Sequence, residues 1–154
     1  MPGIPLAIAR PDAKVLLIES TQKKAAFLTE AAQKLELTNV QVTSERAEAI
    51  GHSPRRERFD VVIARALAEM TTLVEWCLPL VAKGGKLLAM KGPKVAEELP
   101  RAANAIRLVN GGEAVVHRVE LVGTSGHVIV EIGKLGRTDP RYPRSVATMK
   151  KRPL

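Results

Sequence analysis

The sequence predicts an α/β fold with a mostly parallel sheet, helices on both faces of that sheet, and an antiparallel pair of strands at the end. Two observations carry this prediction. Apolar runs of strand length alternate with helical patterns along most of the chain. Two strand-like segments then follow one another near the end with no helix between them.

The first elements are short. "PGIPLAIA" has the pattern of a helix that is just beginning, and residues 14–18 form an apolar run typical of a buried strand. Ser20 or Thr21 is placed to cap a helix that runs to about residue 37. Residues 39–43 are predicted as the second strand. The predicted inner face of the helix consists of Ala25, Leu28, Ala32 and Leu35.

The middle of the chain repeats this pattern. Residues 59–64, "FDVVIA", predict a third strand, and a helix is expected from about residue 66 to residue 81. The glycines of "KGG" at 83–85 can take positive φ, so a turn is predicted there before a fourth strand at 86–90.

The last elements complete the fold. A helix is predicted over residues 95–108, and Pro100 within it should kink or split it. Strands are then predicted at about 114–121 and 127–132, with residues 123–126 as their hairpin connection.

Composition excludes several classes of protein. Hydrophobic residues make up 45% of the chain and mean hydropathy is −0.01, both ordinary for a globular domain. No apolar run reaches the roughly 20 residues of a membrane span, and the start has no signal-peptide pattern. A single cysteine, Cys77, excludes an internal disulfide and suits a reducing cytoplasm. The histidines and Cys77 lack metal-ligand spacing, so no metal is expected.

Charge is unevenly distributed. The formal net charge is +8, and residues 134–154 hold seven basic residues against one acid, a net of +6. We therefore divide the chain into a domain at 1–133 and a basic tail at 134–154. A polyanionic partner, above all nucleic acid, is the favoured interpretation. A disordered, solubilising tail is the alternative.

Residues at the carboxyl ends of strands are the candidate ligands, because open parallel sheets bind ligands there. Glu19 ends the first predicted strand, and its two carboxylate oxygens suit the two hydroxyls of a ribose. Ser20 and Thr21 follow at a helix start that offers free backbone N–H groups. Helix capping with a favourable dipole contact explains the same residues equally well.

Two further strand ends carry candidates. Ala47 and Glu48 offer a backbone N–H and a carboxylate that match the edge of adenine, although a surface helix turn is the simpler interpretation. Arg65 lies where the third strand is expected to meet a helix N-terminus, which is unfavourable for a cation unless it binds an anion. The alternative for Arg65 is an outward contact with Glu69.

Lys91 ends the fourth predicted strand, where it could contact RNA phosphate or simply belong to a strand-to-helix turn. Trp76 and Cys77 lie on an apolar helix and are expected in the core. Cys77 lacks both the electropositive surroundings and the neighbouring base that a nucleophile needs.

Together these residues resemble the small-subunit ribosomal RNA guanine-N7 methyltransferases, also called the glucose-inhibited division protein B family. The resemblance extends over nearly the whole chain in the expected order. It rests on the motifs "PGIPLAIARPDAKVLLIES", "KKAAFL", "RAEAI", "FDVVIARALA", "EWCLPLV", "LLAMKG" and "RYPR…KRPL".

The resemblance implies a Rossmann-like class I methyltransferase that transfers a methyl group from S-adenosylmethionine to a guanine N7. It implies a monomeric cytoplasmic enzyme that acts on small-subunit ribosomal RNA or a pre-ribosomal particle, with no membrane contact, no metal and no catalytic side chain. The implied cofactor residues are Glu19, Ser20, Thr21, Ala47, Glu48 and Arg65. The expected RNA contacts are Lys91, Arg141, Arg144, Lys150, Lys151 and Arg152.

One departure from the family stands at the beginning. The family has a further strand and a glycine-rich cofactor loop before "PGIPL", and Met1 stands where that loop has a large apolar residue. We therefore expect that this first strand is missing, and that the 154-residue chain alone is poorly stable and inactive, because buried unpaired backbone groups cost roughly 1–3 kcal/mol each.

Other functions stay open. The first is a non-catalytic RNA-binding remnant of the same fold. A small-molecule methyltransferase is disfavoured by the basic tail. An NAD-dependent dehydrogenase is disfavoured by the final strand pair and the absence of GxGxxG.

Overall fold

The strands of this α/β fold form two separate sheets. The computed structural model describes residues 2–119 and 126–154. The chain consists of two compact units, Met1–Ala49 and Ile50–Leu154. Most of the predicted hairpin connection (123–125) and the end of the strand predicted to reach residue 121 lie outside the described residues.

The first unit is built around two parallel strands. Helix α1 (Gly3–Ala9) precedes β1 (Val15–Ile18), and helix α2 (Gln22–Lys34) leads to β2 (Val40–Thr43). β1 and β2 pair in parallel with Val15 opposite Val40 and Ile18 opposite Thr43. The parallel pair with a helical crossover confirms the predicted strand–helix–strand pattern.

Helix α2 ends earlier than predicted. Its last residue is Lys34, and Glu36 turns the chain away with φ of 53°. Ala25, Leu28 and Ala32 are buried as expected. Leu35 is 50% exposed, so its prediction as an inner-face residue is wrong, because it lies beyond the last helical turn.

Asn39 fixes the start of this unit. Its side-chain Nδ2 donates to the carbonyls of Ala7, Arg10 and Ala13 at 3.0–3.2 Å. A Cβ at Gly3 would overlap the Leu17 side chain, so α1 packs closely on β1. One amide thus satisfies the carbonyls at the end of α1 and in the turn that follows it.

The second unit contains a four-stranded sheet in the order β3-β4-β6-β5. β3 and β4 are parallel, whereas β6 is antiparallel to both β4 and β5. The antiparallel ending is confirmed, and the described strands form equal numbers of parallel and antiparallel pairs. The elements in chain order are α3 (Ala47–Ile50, across the unit boundary), β3 (Phe59–Arg65), α4 (Met70–Cys77), a 3-10 turn (Leu78–Leu80), β4 (Val81–Lys91), α5 (Val95–Leu108), β5 (Gly111–Arg118), β6 (Val128–Lys134) and α6 (Val146–Lys151).

The core of the second unit lies where α4 and α5 meet the sheet. Burial of apolar side chains in this core is the main source of the second unit's stability. Both helices supply small and branched side chains that pack with apolar side chains of the strands. The cluster includes Leu73, Val74 and Cys77 from α4, Ala102, Ala105 and Ile106 from α5, and Leu87, Ala89, Val130 and Ile132 from the strands.

Further local predictions differ from the structure. Helix α4 begins at Met70 and not near residue 66, because Ala66 has φ of 50° and residues 66–69 form a loop. The "KGG" turn lies within β4 as a register irregularity, and of its two glycines only Gly84 has positive φ. Pro100 does not split its helix, since α5 runs uninterrupted from Val95 to Leu108.

The C-terminal segment that carries the basic residues packs against the rest of the second unit. Tyr142 and Met149 are buried, and Leu154 packs against the core cluster. Ser145 caps α6 by accepting from the Thr148 N–H at 3.2 Å. The structure therefore does not show the disordered tail considered as an alternative, and position 133/134 is not a boundary between the two compact units.

Candidate functional site

The carboxyl ends of β1 and β2 form one edge of the first unit. Ile18 pairs with Thr43, and the Glu19 N–H continues the ladder by donating to the Thr43 carbonyl at 3.2 Å. Glu19 and the segment that begins at Ser44 therefore leave the sheet at the same edge, where ligands of parallel sheets bind.

Glu19 is a fixed anion at that edge. Its Oε1 accepts a hydrogen bond from the Thr21 backbone N–H at 2.8 Å. This hydrogen bond, reinforced by the Thr21 hydroxyl and the Lys24 charge, lowers the pKa of Glu19, so it is ionised at neutral pH. Thr21 occupies the N-cap position of α2, but its side chain makes no capping bond. The exposed Ser20 stands beside it.

Ala47 and Glu48 begin the short helix α3 after β2. Both are half-buried, and Glu48 pairs with Arg46 at 3.5 Å. Arg46 itself is 65% exposed, so this ion pair is weak. The geometry leaves Glu48 available, and its contact with adenine stays a prediction.

The carboxyl ends of β3 and β4 form the corresponding edge of the second unit. Arg65 is the last residue of β3 and pairs with Met90, the neighbour of Lys91 in β4. Arg65 is exposed, and within the described part of the chain its side chain makes no hydrogen bond or ion pair, with Glu69 or any other residue. Arg65 does not lie at a helix N-terminus as predicted, because α4 begins five residues later.

Lys91 has internal partners. Its Nζ donates to the Ala68 carbonyl at 3.0 Å and pairs with Glu98 Oε2 at 2.6 Å. The same Glu98 oxygen accepts from the Met70 backbone N–H at 2.8 Å, at the start of α4. This cluster ties the loop at 66–69 to α5, and it does not support the predicted contact of Lys91 with RNA.

The tail residues fall into two groups. Arg144 is held inside the unit: its Nε and Nη2 donate to Glu75 at 2.7 Å, and its Nη1 donates to the Arg152 carbonyl at 2.9 Å. Arg141 is exposed, pairs with Asp139 at 3.2 Å, and lies 5.4 Å from the centre of the Tyr142 ring. The remaining predicted contacts, Lys150, Lys151 and Arg152, are exposed.

Sequence reasoning missed three charged residues. Glu75, which is 1% exposed, and Glu98 hold Arg144 and Lys91. Lys134 is buried and donates to the Val109 carbonyl and to the Thr138 hydroxyl. An acid within the apolar helix "MTTLVEWC" was a usable indication for Glu75, because a buried carboxylate requires a partner. Glu98 lies in the polar first turn of its helix, and nothing in the sequence indicated that it has a structural role.

Other chemistry is limited. Burial raises the pKa of Cys77 to about 12, in keeping with its predicted place in the core. Trp76 packs against the core cluster, and within the described residues its indole N–H has no hydrogen-bond partner. Residues 2–119 and 126–154 bring no three His, Cys, Asp or Glu side chains into a metal-binding arrangement. None of the helices in these ranges has the length and hydrophobicity of a bilayer span.

Solved structures define the class of this fold. An rRNA methylase from Streptococcus thermophilus is similar with a TM-score of 0.57 at 17% identity, over 80% of this chain and 74% of that one. A 16S rRNA (adenine(1408)-N(1))-methyltransferase from Catenulisporales acidiphilia is similar with a TM-score of 0.65 at 12% identity, over 89% and 80%. The chain therefore has the Rossmann-like fold of S-adenosylmethionine-dependent methyltransferases.

The sequence is more specific than the fold. The family model "rRNA small subunit methyltransferase G" matches residues 1–125. The Ribosomal RNA small subunit methyltransferase G of Roseiflexus sp. (strain RS-1) is 44% identical over 99% of this chain, and that of Staphylococcus epidermidis is 42% identical over 99%. The chain belongs to the rRNA small subunit methyltransferase G family. It spans 66% and 64% of the length of these two relatives.

Proposed function

We propose that this chain serves transfer of a methyl group from S-adenosylmethionine to N7 of a guanine in small-subunit ribosomal RNA by binding the cofactor and the RNA, and that the 154 residues alone do not complete the transfer. The observation that carries the proposal is the family match over residues 1–125, which include every proposed cofactor residue. The proposal includes a monomeric, cytoplasmic protein whose substrate is ribosomal RNA or a pre-ribosomal particle.

Glu19 suits the ribose of the cofactor. It is ionised, it lies at the carboxyl end of β1, and the Thr21 N–H holds its carboxylate in place. A carboxylate fixed before binding loses little entropy when it accepts hydroxyl hydrogen bonds. We assign Ser20 and Thr21 to the same part of the cofactor.

The other proposed cofactor residues supply different contacts. Ala47 would offer a backbone N–H and Glu48 an acceptor to adenine, and both lie after β2 in the first unit. Arg65, which is exposed at the end of β3 in the second unit, is kept as a proposed cofactor residue on the family resemblance. These residue types match a nucleoside with polar edges and a carboxylate-bearing amino-acid part.

The chemistry requires little from the side chains. When bound, S-adenosylmethionine would supply a methyl group already activated by its sulfonium charge. Guanine N7 has an in-plane lone pair and no proton, so the chain need not provide a base. Its residues would bind the cofactor and the guanine, orient them for transfer, and exclude water. These contributions are effects of proximity and orientation.

RNA binding is assigned to exposed cations. Arg141, Lys150, Lys151 and Arg152 are exposed in the second unit and are proposed as phosphate contacts. Lys91 and Arg144 are left out of this proposal, because Glu98 and Glu75 already hold them.

Calorimetric titration with S-adenosylmethionine tests the cofactor site. We expect the 154-residue chain to bind, and Glu19→Gln to weaken binding by about tenfold or more, because a hydrogen bond to a charged group contributes roughly 1.5–3 kcal/mol. Glu30→Gln is the matched control, since Glu30 has only an exposed pair with Lys34. No binding by the wild-type chain, or equal loss in both variants, would contradict the proposal.

A non-catalytic RNA-binding protein is the second candidate. It is favoured by the location of all the exposed C-terminal cations in the second unit, whereas Glu19 belongs to the first. RNA binding without cofactor binding would support it. The inactivity expected for this chain stays a prediction, and a methyl-transfer assay with ribosomal RNA tests it directly.

A further inference from the structure

We propose that the second unit binds RNA phosphates at the amino-terminal ends of β3 and β4, at the end of the sheet opposite Arg65 and Lys91. The proposal rests on the RNA substrate of the proposed function and extends the RNA contact from Arg141 to cations not assigned above. We call this region the amino-end cationic surface, and it consists of residues 51–60, 82–85 and 134–141.

Two of these segments meet at the start of the strands. The Arg58 N–H donates to the Leu80 carbonyl at 3.1 Å, directly before β3 and β4 begin. Residues 82–85 form the irregular part of β4, where its register with β3 shifts; we call them the 82–85 excursion. A Cβ at Gly85 would lie 2.5 Å from the Asp60 carbonyl oxygen, so this segment packs against the first residues of β3. Lys83 is exposed on this excursion.

The third segment is bound tightly to the first. Arg56 donates to the carbonyls of Thr138 at 2.8 Å and Tyr142 at 2.6 Å. Glu57 Oε1 accepts from the Thr138 backbone N–H at 2.6 Å. Arg58 is the sequence neighbour of Glu57, and Arg137 is the sequence neighbour of Thr138. The Glu57–Thr138 hydrogen bond therefore brings together two segments about 80 residues apart in sequence.

This surface has a positive charge. The three segments contain seven basic residues and three acidic ones, a net of +4, or +3 without the buried Lys134. Arg56 uses its hydrogen bonds on carbonyl oxygens, so its charge stays uncompensated by those contacts. The exposed cations are Arg55, Arg58, Lys83, Arg137 and Arg141.

The residue type favours phosphate as the partner. Four of the five exposed cations are arginines, whose planar guanidinium binds phosphate through two parallel hydrogen bonds. Within the described residues, the side chains of Arg58 and Arg137 make no hydrogen bond or ion pair with the protein. Their donors are therefore available to an external anion.

The position of the surface gives it a separate role. β3 has seven residues, so its two ends lie roughly 20 Å apart at about 3.3 Å per residue. Contacts at the amino end cannot touch a nucleotide that reacts at the carboxyl end. They would instead fix the position of the RNA on the protein, as phosphate contacts generally do.

Salt-dependent RNA binding tests the proposal. The protein is the 154-residue chain and the probe is a small-subunit ribosomal RNA fragment. We compare Arg58→Gln/Arg137→Gln with Arg101→Gln/Arg107→Gln, a control that removes two exposed arginines from α5. The first variant should bind more weakly. Its plot of log K against log salt concentration should be less steep by about 1.4–1.8, as expected for two lost phosphate contacts. The control should keep the affinity and the slope of the wild type.

A gain of affinity is expected from the opposite change. Asp60→Asn removes an exposed acid from the amino-end cationic surface and should strengthen binding of the same fragment. An unchanged slope in the Arg58/Arg137 variant, or an equal change in the α5 control, would overturn the proposal while leaving the cofactor titration, and so the proposed function, untouched. If the wild-type chain fails to bind the fragment, the amino-end cationic surface is not an RNA site, and cofactor binding still decides the proposed function separately.

Discussion

The guanidinium of Arg144 binds both carboxylate oxygens of Glu75 at 2.7 Å, and the Arg144 backbone N–H adds a third hydrogen bond at 2.9 Å. The two residues are 69 positions apart in the sequence. The pair fastens the C-terminal segment to α4, and Glu75 is 1% exposed. Part of the charge in the basic C-terminal tail is therefore structural.

Arg144→Gln should lower the free energy of unfolding by about 3–5 kcal/mol, because it leaves a buried carboxylate without its ion-pair partner. Urea denaturation measures the change. Arg101→Gln is the control, since the Arg101–Glu97 pair has side chains 64% and 74% exposed, and its loss should cost less than about 1 kcal/mol. Similar losses in both variants would show that Arg144 is not a structural clamp.

Lys134 should give the folded chain a dependence on alkaline pH. Burial lowers the pKa of Lys134 to about 8 from its ordinary 10.5. Between those values the unfolded chain binds a proton that the folded chain does not, so the free energy of unfolding rises with pH in that window. Cys77 opposes this rise above pH 9, because its pKa is raised in the folded state.

The variant Lys134→Met isolates this effect. Denaturation of both proteins at several pH values from 7 to 10.5 should show a steeper rise of stability in the wild type. Parallel curves for the two proteins would mean that the folded-state pKa of Lys134 is close to its ordinary value.

Glu98 should protect the start of α4. Its Oε2 accepts from the Met70 N–H at 2.8 Å, and an unsatisfied buried donor costs about 1–3 kcal/mol. Glu98→Ala should therefore speed hydrogen exchange at the Met70 amide by about 10- to 100-fold. Glu98→Gln keeps an acceptor and should retain most of the protection. Equal exchange in the two variants would contradict the assignment.

Two glycines should respond differently to alanine. A Cβ at Gly85 would meet the Asp60 carbonyl oxygen at 2.5 Å, whereas a Cβ at Gly133 meets nothing within 4 Å. Because backbone atoms cannot move aside cheaply, Gly85→Ala should destabilise the protein by about 1–3 kcal/mol, and Gly133→Ala should have little effect. Thermal unfolding of both variants measures this difference, and a tolerated Gly85→Ala would contradict the packing described for the 82–85 excursion.

Periodicity predicted the regular elements well. The helix over Val95–Leu108 has its predicted bounds, since its apolar residues recur at helical spacing and face one core. The start of α4 was predicted too early, because apolar residues continue from β3 through a loop whose turn depends on positive φ at Ala66. A local pattern does not reveal such a turn in a residue other than glycine.

The sequence predicted the positions of the candidate site residues better than their contacts, because contacts between distant residues form only on folding. Glu19 and Arg65 lie at strand ends, as their positions after apolar runs indicated. The sequence predicts Lys91 and Arg144 as RNA-binding cations, because their contacts with Glu98 and Glu75 form only in the folded chain. Counting charges along the sequence cannot separate solvated cations from buried ones.

Binding of the cofactor ribose by Glu19 can be observed at its carboxylate. Carbon-13 NMR of the Glu19 side chain, recorded while S-adenosylmethionine is added to the 154-residue chain, reports hydrogen bonds to that carboxylate. We predict a saturable shift of the Glu19 resonance, with the resonance of the exposed Glu30 unchanged. Saturable binding of S-adenosylmethionine with an unmoved Glu19 resonance would contradict the central claim that this acid binds the ribose.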